Sequence, residues 1–290
     1  MTSMRDIKQR IANVRSTEQI IKAMDMIAST KLHKARAQLE GVRPIYRKLK
    51  SVVEELGRQE EAQAHIFFQE RPVRNSLYII LTSDRGFAGG YNANIVTTAM
   101  EHMSQGKNEK ILVVGWEGYE YFKKRKKNII RKITDVSDAQ VYYGTESIAN
   151  WVEKLYLSGE VDEVFIAYTH FENILNYEPC VEKLLPVPIA AVDTGVARTI
   201  RKYEPDTHTF IDHIIPFYLH MNLFRAISES HTSEQAARMV SMDAAGKNAE
   251  KMIEELTRMY NRKRQTTITQ EISEIIGSVN ILHKGGAHES

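Results

Sequence analysis

IKQRIANVRSTEQIIKAMDMIASTKLHKARAQLEGVRPIYRKLKSVVEEL, residues 7–56, carries an apolar residue at every seventh position: Ile7, Val14, Ile21, Ala28, Ala35, Val42, Leu49 and Leu56. Ile11, Leu32, Leu39, Tyr46 and Val53 fill the interleaved positions, so the stretch reads as one coiled-coil stripe. A helix from about Arg5 to about Arg58, roughly 80 Å long at about 1.5 Å per residue, needs something to bury that stripe against. The other end of the chain offers it. Met242, Ala245, Ala249, Met252, Leu256 and Met259 follow a 3,4 spacing, and Ile268, Ile272, Ile275, Val279 and Leu282 resume it after a polar break. Helices from opposite chain ends pair antiparallel, and everything between them becomes an insertion. Gly41 and Pro44 predict a bend in the first helix near residues 41–44.

The insertion opens with a polar connector, residues 59–75, that includes Pro72. SLYIILT (76–82) is a β-branched and aromatic run of the kind that forms a buried strand. A helix from Asn92 to about Gln105 follows, then KILVVG as a strand, WEGYEYFKKRKK as a helix and IIRKIT as a strand candidate. Thr145 to Leu157 reads as a helix, EVFIAYTHF as a strand, and CVEKLLPVP as the exit from the domain. This alternation predicts a mainly parallel sheet covered by helices. FIDHII reads as a short strand, with the last helix starting after Pro216 and ending near Leu282. The expected fold class is therefore α/β: a long antiparallel coiled coil of the terminal helices with an inserted Rossmann-like domain. Its expected divisions are an N-terminal coiled-coil helix (1–58), an inserted α/β domain with connectors (59–213), a C-terminal coiled-coil helix (214–284) and a polar tail (285–290).

Composition excludes several classes of function. Charged residues make up 26% of the 290 and mean hydropathy is -0.38, while no apolar run nears the roughly 20 residues that cross a bilayer. MTSMRDIKQR enters the helical pattern without an apolar signal core or an Arg/Ser-rich presequence, which reads as a cytoplasmic protein. The single cysteine, Cys180, rules out an internal disulfide and reads as structural, and the ten histidines show no pairing such as HExxH. The net charge of +2 is uneven, with 13 Lys or Arg against 6 Asp or Glu over residues 1–58. That basic helical surface suits either a solvated coiled-coil flank or an acidic protein partner. It lacks the aromatic platform of a nucleic-acid reader.

The loop Ser83-Asp84-Arg85-Gly86-Phe87-Ala88-Gly89-Gly90-Tyr91-Asn92 lies between a strand and a helix, where phosphate-binding loops occur. It matches neither GxxxxGK[ST] nor GxGxxG, so its glycines are read as turn formers, and Asp84 with Arg85 as a surface contact. No Ser/His/acid or Cys/His arrangement is assignable, and Asp84 with Glu101 is merely two of many carboxylates. We therefore expect no catalytic residues, no bound cofactor and no metal. The small residues Ala236, Ala237, Ala244, Ala245, Gly246 and Ala249 are expected to pack on the first helix near Ala28 and Ala35. Arg258, Arg262, Lys263, Arg264, Gln265 and Thr269 interrupt the apolar stripe, either as a solvated stutter or as polar contacts to loops of an enclosing partner. Met24 sits at the stripe's edge, where a flexible thioether suits changing neighbours.

Three blocks resemble the γ subunit family of the F-type ATP synthases, the central rotor shaft: IKQRIANVRSTEQIIKAMDMIASTKLHKA (7–35), LTSDRGFAGGYN (81–92) and SEQAARMVSMDAAGKNAEKMIEELTRMYNRKRQTTITQEISEII (233–276). The resemblance implies a central stalk with no active site of its own. Such a shaft couples ion-driven rotation of a proteolipid membrane ring to conformational cycling in a hexamer of catalytic and non-catalytic subunits, with an ε-type subunit at its foot. It implies that Met24 meets an acidic helix-turn segment of the catalytic subunit and that Lys31, Lys34 and Arg85 face those carboxylates. It implies further that Arg264, Gln265 and Thr269 touch catalytic-subunit loops, that Arg238 is coupled to the Met24 region, and that Ile272 to Leu282, including Ile276, turns in an apolar collar. No nucleic acid is implied. The placement is peripheral, on the cytoplasmic side of a bacterial plasma membrane, because the chloroplast form's cysteine-bearing insertion and an organellar presequence are missing. The polar end, IGSVNILHKGGAHES, departs from the alanine-rich tips of the family. Two other classes compete: an enzyme using the α/β domain with the helices as a dimerisation arm, and a basic coiled-coil adaptor for nucleic acid.

Overall fold

The computed structural model describes residues 3–134, 141–189, 203 and 206–285. The chain forms two compact units, Ala28–Ser241 and the pair Met1–Ile27 with Met242–Ser290. In order, its elements are α1 (Met4–Leu56), α2 (Glu60–Gln63), β1 (Ser76–Leu81), α3 (Tyr91–Met103), β2 (Lys110–Val114), α4 (Trp116–Lys124), β3 (Ile129–Ile133), α5 (Val141–Leu157), β4 (Glu163–Phe171), β5 (Tyr177–Leu185) and α6 (Thr207–Gly285). The expected terminal helices flanking a mixed sheet are thus both present.

The sheet of the larger unit runs β3-β2-β1-β4-β5. The first four strands are mutually parallel, with Ile79 of β1 beside Leu112 of β2 and Ile166 of β4. All six residues of β1 are buried, the pattern of a strand covered on both faces. Its side chains alternate between two cores. Leu77, Ile79 and Leu81 join Val42, Leu49 and Val53 of α1, Val152 of α5 and Ile211, Ile215 and Leu219 of α6. Tyr78 and Ile80 join Ile95 and Ala99 of α3 and Phe122 of α4 on the other face. The terminal helices are therefore one wall of the sheet's own core.

CVEKLLPVP does not lead out of the domain. Its first six residues, 180–185, belong to β5, which pairs antiparallel with β4 through Tyr168–Cys180 and Phe165–Lys183. Its outer edge is unpaired, so Glu178 and Lys183 are tolerated there, and those charges disguised the strand. FIDHII is likewise not a strand, and α6 does not wait for Pro216. Asp206 starts the helix by accepting the Thr209 N–H at 2.9 Å and the Thr209 hydroxyl at 2.8 Å. Those bonds hold the Asp206 carboxyl below its ordinary range. Pro216 then lies inside α6. An interior proline costs about 3 kcal/mol, which burial of Ile211, Ile215 and Leu219 offsets at about 1.5–3 kcal/mol each. α1 passes Gly41 and Pro44 as one continuous helix.

Within the larger unit α1 and α6 run antiparallel: Leu32 and Leu39 pack with Ala236, and Tyr46 stacks on Tyr218 at 6.1 Å. The small residues do not form one seam against α1. Ala236 faces α1, Ala237 faces Ala88 and Tyr91, and Ala244 is exposed. In the smaller unit, a Cβ at Gly246 would lie 3.7 Å from Ile21, and Lys22 bridges Glu250 at 3.1 Å. The 285–290 tail lies outside the described residues after Gly285.

Candidate partner-contact surfaces

The glycine-rich loop is closed on itself and held by α6. Ser83 donates its N–H to Asn92 Oδ1 at 3.0 Å and its hydroxyl to the Arg85 carbonyl at 2.8 Å. Asp84 Oδ1 accepts the Trp116 N–H at 3.0 Å, tying the loop to the start of α4. Beside it Gly115, between β2 and α4, has a φ of 101°, and a Cβ there would stand 2.3 Å from the Thr82 carbonyl.

Arg238 reaches the same loop from α6. Its guanidinium donates to the Arg85 carbonyl at 3.0 Å, to the Gly86 carbonyl at 3.3 Å and to Gln235 Oε1 at 3.1 Å, and pairs with Glu234 at 2.8 Å. Arg238 is buried while Arg85 turns its own side chain outward. Beside them Tyr91 donates to Ser230 Oγ at 3.0 Å, and burial pushes the Tyr91 phenol above its ordinary pKa. Ser230 also accepts the Thr169 N–H at 3.2 Å, so this run of α6 stitches α3, β4 and the loop together. Lys31 and Lys34 flank the buried Leu32 and Ala35 and point outward.

In the smaller unit Met24 is half-buried, as expected for the edge of a stripe. Arg264, Gln265, Thr269, Ile272 and Ile276 are all exposed. Gln265, Thr269, Ile272 and Ile276 follow i, i+4, i+7, i+11 spacing and so share one side of α6. Ile268, Ile272, Ile275 and Ile276 are 44%, 51%, 62% and 56% exposed, a contiguous apolar face. The side chains of Val279 and Leu282 lie outside the described residues. On α1, Ile20 and Ile27 are also exposed. Sequence reasoning passed over them because they adjoin the buried stripe; their own seven-residue spacing was the available signal.

Two polar clusters were also missed. Glu229, buried on α6, accepts from Arg43 of α1 at 3.2 Å, meets His170 of β4 at 2.5 Å and lies 3.6 Å from Arg225. Arg225 in turn donates to the Tyr168 hydroxyl at 2.6 Å and to Glu182 and Asn222 at 2.7 Å, and lies 4.5 Å over the Tyr46 ring. This clasp joins both long helices to the sheet. Arg225 and Glu229, four apart and so on one side of a helix beside Leu223, Phe224, Ala226 and Ile227, were its sequence signal. The second cluster is His65, His208 and Asp212. His65 Nε2 meets Asp212 Oδ1 at 3.2 Å, while its Nδ1 accepts the Phe67 N–H at 3.4 Å. That acceptor role leaves the ring proton on Nε2, facing Asp212, which suits a hydrogen bond rather than a metal. Burial, then the neighbouring His208, holds the His65 pKa below its usual value. Burial raises the Cys180 thiol to about 11, in keeping with a structural cysteine.

A family model described as ATP synthase matches residues 3–282. An ATP synthase gamma chain of Desulforamulus reducens is 37% identical, the match covering 97% of this chain and 100% of that one. A sodium ion specific ATP synthase gamma chain of Acetobacterium woodii is 35% identical over 97% of this chain and 99% of its own length. Among solved structures, a chain of the Euglena gracilis mitochondrial ATP synthase, in an assembly of OSCP, F1 and c-ring, superposes with a TM-score of 0.71. It is 17% identical and is matched over 98% of this chain and 95% of that one.

Proposed function

The chain belongs to the ATP synthase gamma-chain family, and from that premise we propose that it works as the turning central stalk of a membrane-associated ATP synthase. The observation that carries this is the match over nearly the full length of both partners. The chain itself supplies no catalytic group. It couples rotation of a proteolipid ring to ATP synthesis or hydrolysis in a hexamer of catalytic and non-catalytic subunits, and an ε-type subunit joins it at the foot. The helices of residues 1–58 and 214–284 turn inside the hexamer and residues 59–213 form the foot. The assembly sits on the cytoplasmic face of a bacterial plasma membrane.

A rotating shaft does work only if each catalytic conformation meets a different face of it with a different free energy. The exposed side of the smaller unit is uneven enough for that role. Met24, with Lys31, Lys34 and Arg85 of the larger unit, is assigned to the acidic helix-turn segment of a catalytic subunit. Arg264, Gln265 and Thr269 are assigned to catalytic-subunit loops, and Ile272 and Ile276 to the apolar collar. The exposure of all of these but the half-buried Met24 supports this reading. Arg238 acts one step back, fixing the loop that presents Arg85. Torque between foot and helices passes through the Glu229 clasp, which ties α1, β4 and α6 together.

Purification of the tagged chain from membranes washed at low ionic strength tests the reading. Recovery with two larger subunits in threefold excess and with ATPase activity is the expected result. Recovery alone or as a homodimer overturns it.

A further inference from the structure

We propose that the basic hollow between α4 and β3 seats the phosphate headgroups of an anionic phospholipid bilayer. The run KKRKK at 123–127 leaves α4 and turns into β3, where Arg131 and Lys132 add two more cations. Lys123, Lys127, Arg131 and Lys132 line one shallow hollow with Tyr119 and Ile130. Few carboxylates oppose them: Glu117 and Glu120 lie on α4, and Glu109 stands 3.9 Å from Lys127.

The aromatic residues of this patch carry cations on their faces. Arg125 lies 3.5 Å over the Tyr121 ring, Lys132 lies 4.4 Å over Tyr119 and 4.8 Å over Trp116, and Arg131 lies 4.9 Å over Trp151. Trp116 is 45% exposed and Ile130 38%. Occupied ring faces are not open to stack bases, which weighs against single-stranded nucleic acid. The patch holds five lysines, at 123, 124, 126, 127 and 132, against two arginines, and lysine lacks the bidentate fork that selects carboxylates of a protein partner. What it presents is mainly lysine charge rimmed by tryptophan and isoleucine. That combination matches an anionic headgroup layer, where lysines gain from the surface potential and aromatic rings lie at the polar boundary. The helices need not enter the bilayer, and no described helix is long and apolar enough to cross one.

The test uses the full chain carrying Trp151→Phe, which leaves Trp116 as the sole tryptophan of the two. It is sedimented with vesicles of phosphatidylcholine alone and of phosphatidylcholine with phosphatidylglycerol, at low and at physiological salt. Binding is expected only with phosphatidylglycerol, weakening with salt, with a blue shift of Trp116 emission. The triple variant Lys123→Gln, Lys127→Gln, Lys132→Gln, all three from the lining of the hollow, should bind about 100-fold more weakly, at about fivefold per cation. Its melting temperature should be nearly unchanged, because Lys123 and Lys132 are exposed and Lys127 makes one loose ion pair at 3.9 Å. Equal binding to neutral vesicles, an unshifted Trp116 on bound vesicles, or a triple variant that binds like its parent would each overturn the proposal. So would RNA bound through the same lysines in preference to the vesicles. ATPase activity regained with the catalytic subunits reads the stalk function separately, so either idea can fail without the other.

Discussion

One helix, α6, leads two different lives. From Tyr218 to Arg238 no side chain is exposed, and Arg225, Glu229, Ser230, Thr232, Ser233 and Gln235 are all buried. From Met252 to Ile276 even Ile268, Ile272, Ile275 and Ile276 are exposed, and not one side chain is fully buried. Propensity does not separate the two, since both stretches are continuous helix. What differs is where the partners are. The first stretch packs against α1 and the sheet, and its buried arginine and carboxylate bond to residues there. The second presents an exposed apolar and basic surface, as a surface made for other subunits would. Residues of one helix can thus be sorted into those that keep the chain folded and those that make it useful.

The largest effect should come from the first stretch. Glu229→Ala leaves Arg43 and Arg225 without their shared carboxylate, and a broken buried pair costs about 3–5 kcal/mol. Thermal unfolding followed by circular dichroism should shift down by about 10 °C. A shift within a degree would mean that the clasp is not what holds the helices to the sheet.

Ile272→Ser with Ile276→Ser should do the reverse. Folding stability should stay within about 0.5 kcal/mol of the parent, while affinity for the catalytic hexamer falls about 100-fold or more, given about 1.5–3 kcal/mol for each of the two isoleucines buried. If the melting point drops and assembly survives, that face is covered from within and the comparison collapses. Met24→Lys probes the boundary between the two behaviours. A new cation beside an acidic segment adds attraction in one rotary state, so ion pumping per ATP hydrolysed should fall severalfold while hydrolysis persists. Normal pumping would remove Met24 from the contact set.

The smallest effect is a pH dependence. His65 is held neutral by burial, with a folded pKa below that of the unfolded chain. As pH falls from about 8 to about 5.5, the unfolded state takes up this proton first and stability declines. His65→Gln should flatten that part of the profile, measured as melting temperature against pH. An unchanged slope would assign the acid sensitivity to other groups.

The sequence showed most clearly whatever repeats. The stripe from Ile7 to Leu56 and the run from Ser76 to Thr82 state their periods openly, and α1 and β1 lie there. It misled where tertiary context outweighs local grammar. Pro216 resembled a helix start, yet core burial on either side carries α6 through it. Glu178 and Lys183 resembled solvent-facing connector, yet an edge strand accommodates charge. Of the proposed contact surfaces, Arg264, Gln265 and Thr269 stood out in the sequence because they break the stripe's pattern, and they are exposed. The Glu229 clasp was not, because its three partners come from residues 43, 170 and 225, and no local window spans them.

The antiparallel pairing of α1 with α6 also sets a timetable. Leu32, Leu39 and Arg43 meet Ala236 and Glu229, which leave the ribosome nearly 200 residues later. At about 5–20 residues per second the α1 stripe spends roughly 10–40 s without its native cover. Over that interval the stripe is apolar surface in need of temporary cover, which an exposed coiled-coil face far from its partner in sequence always requires.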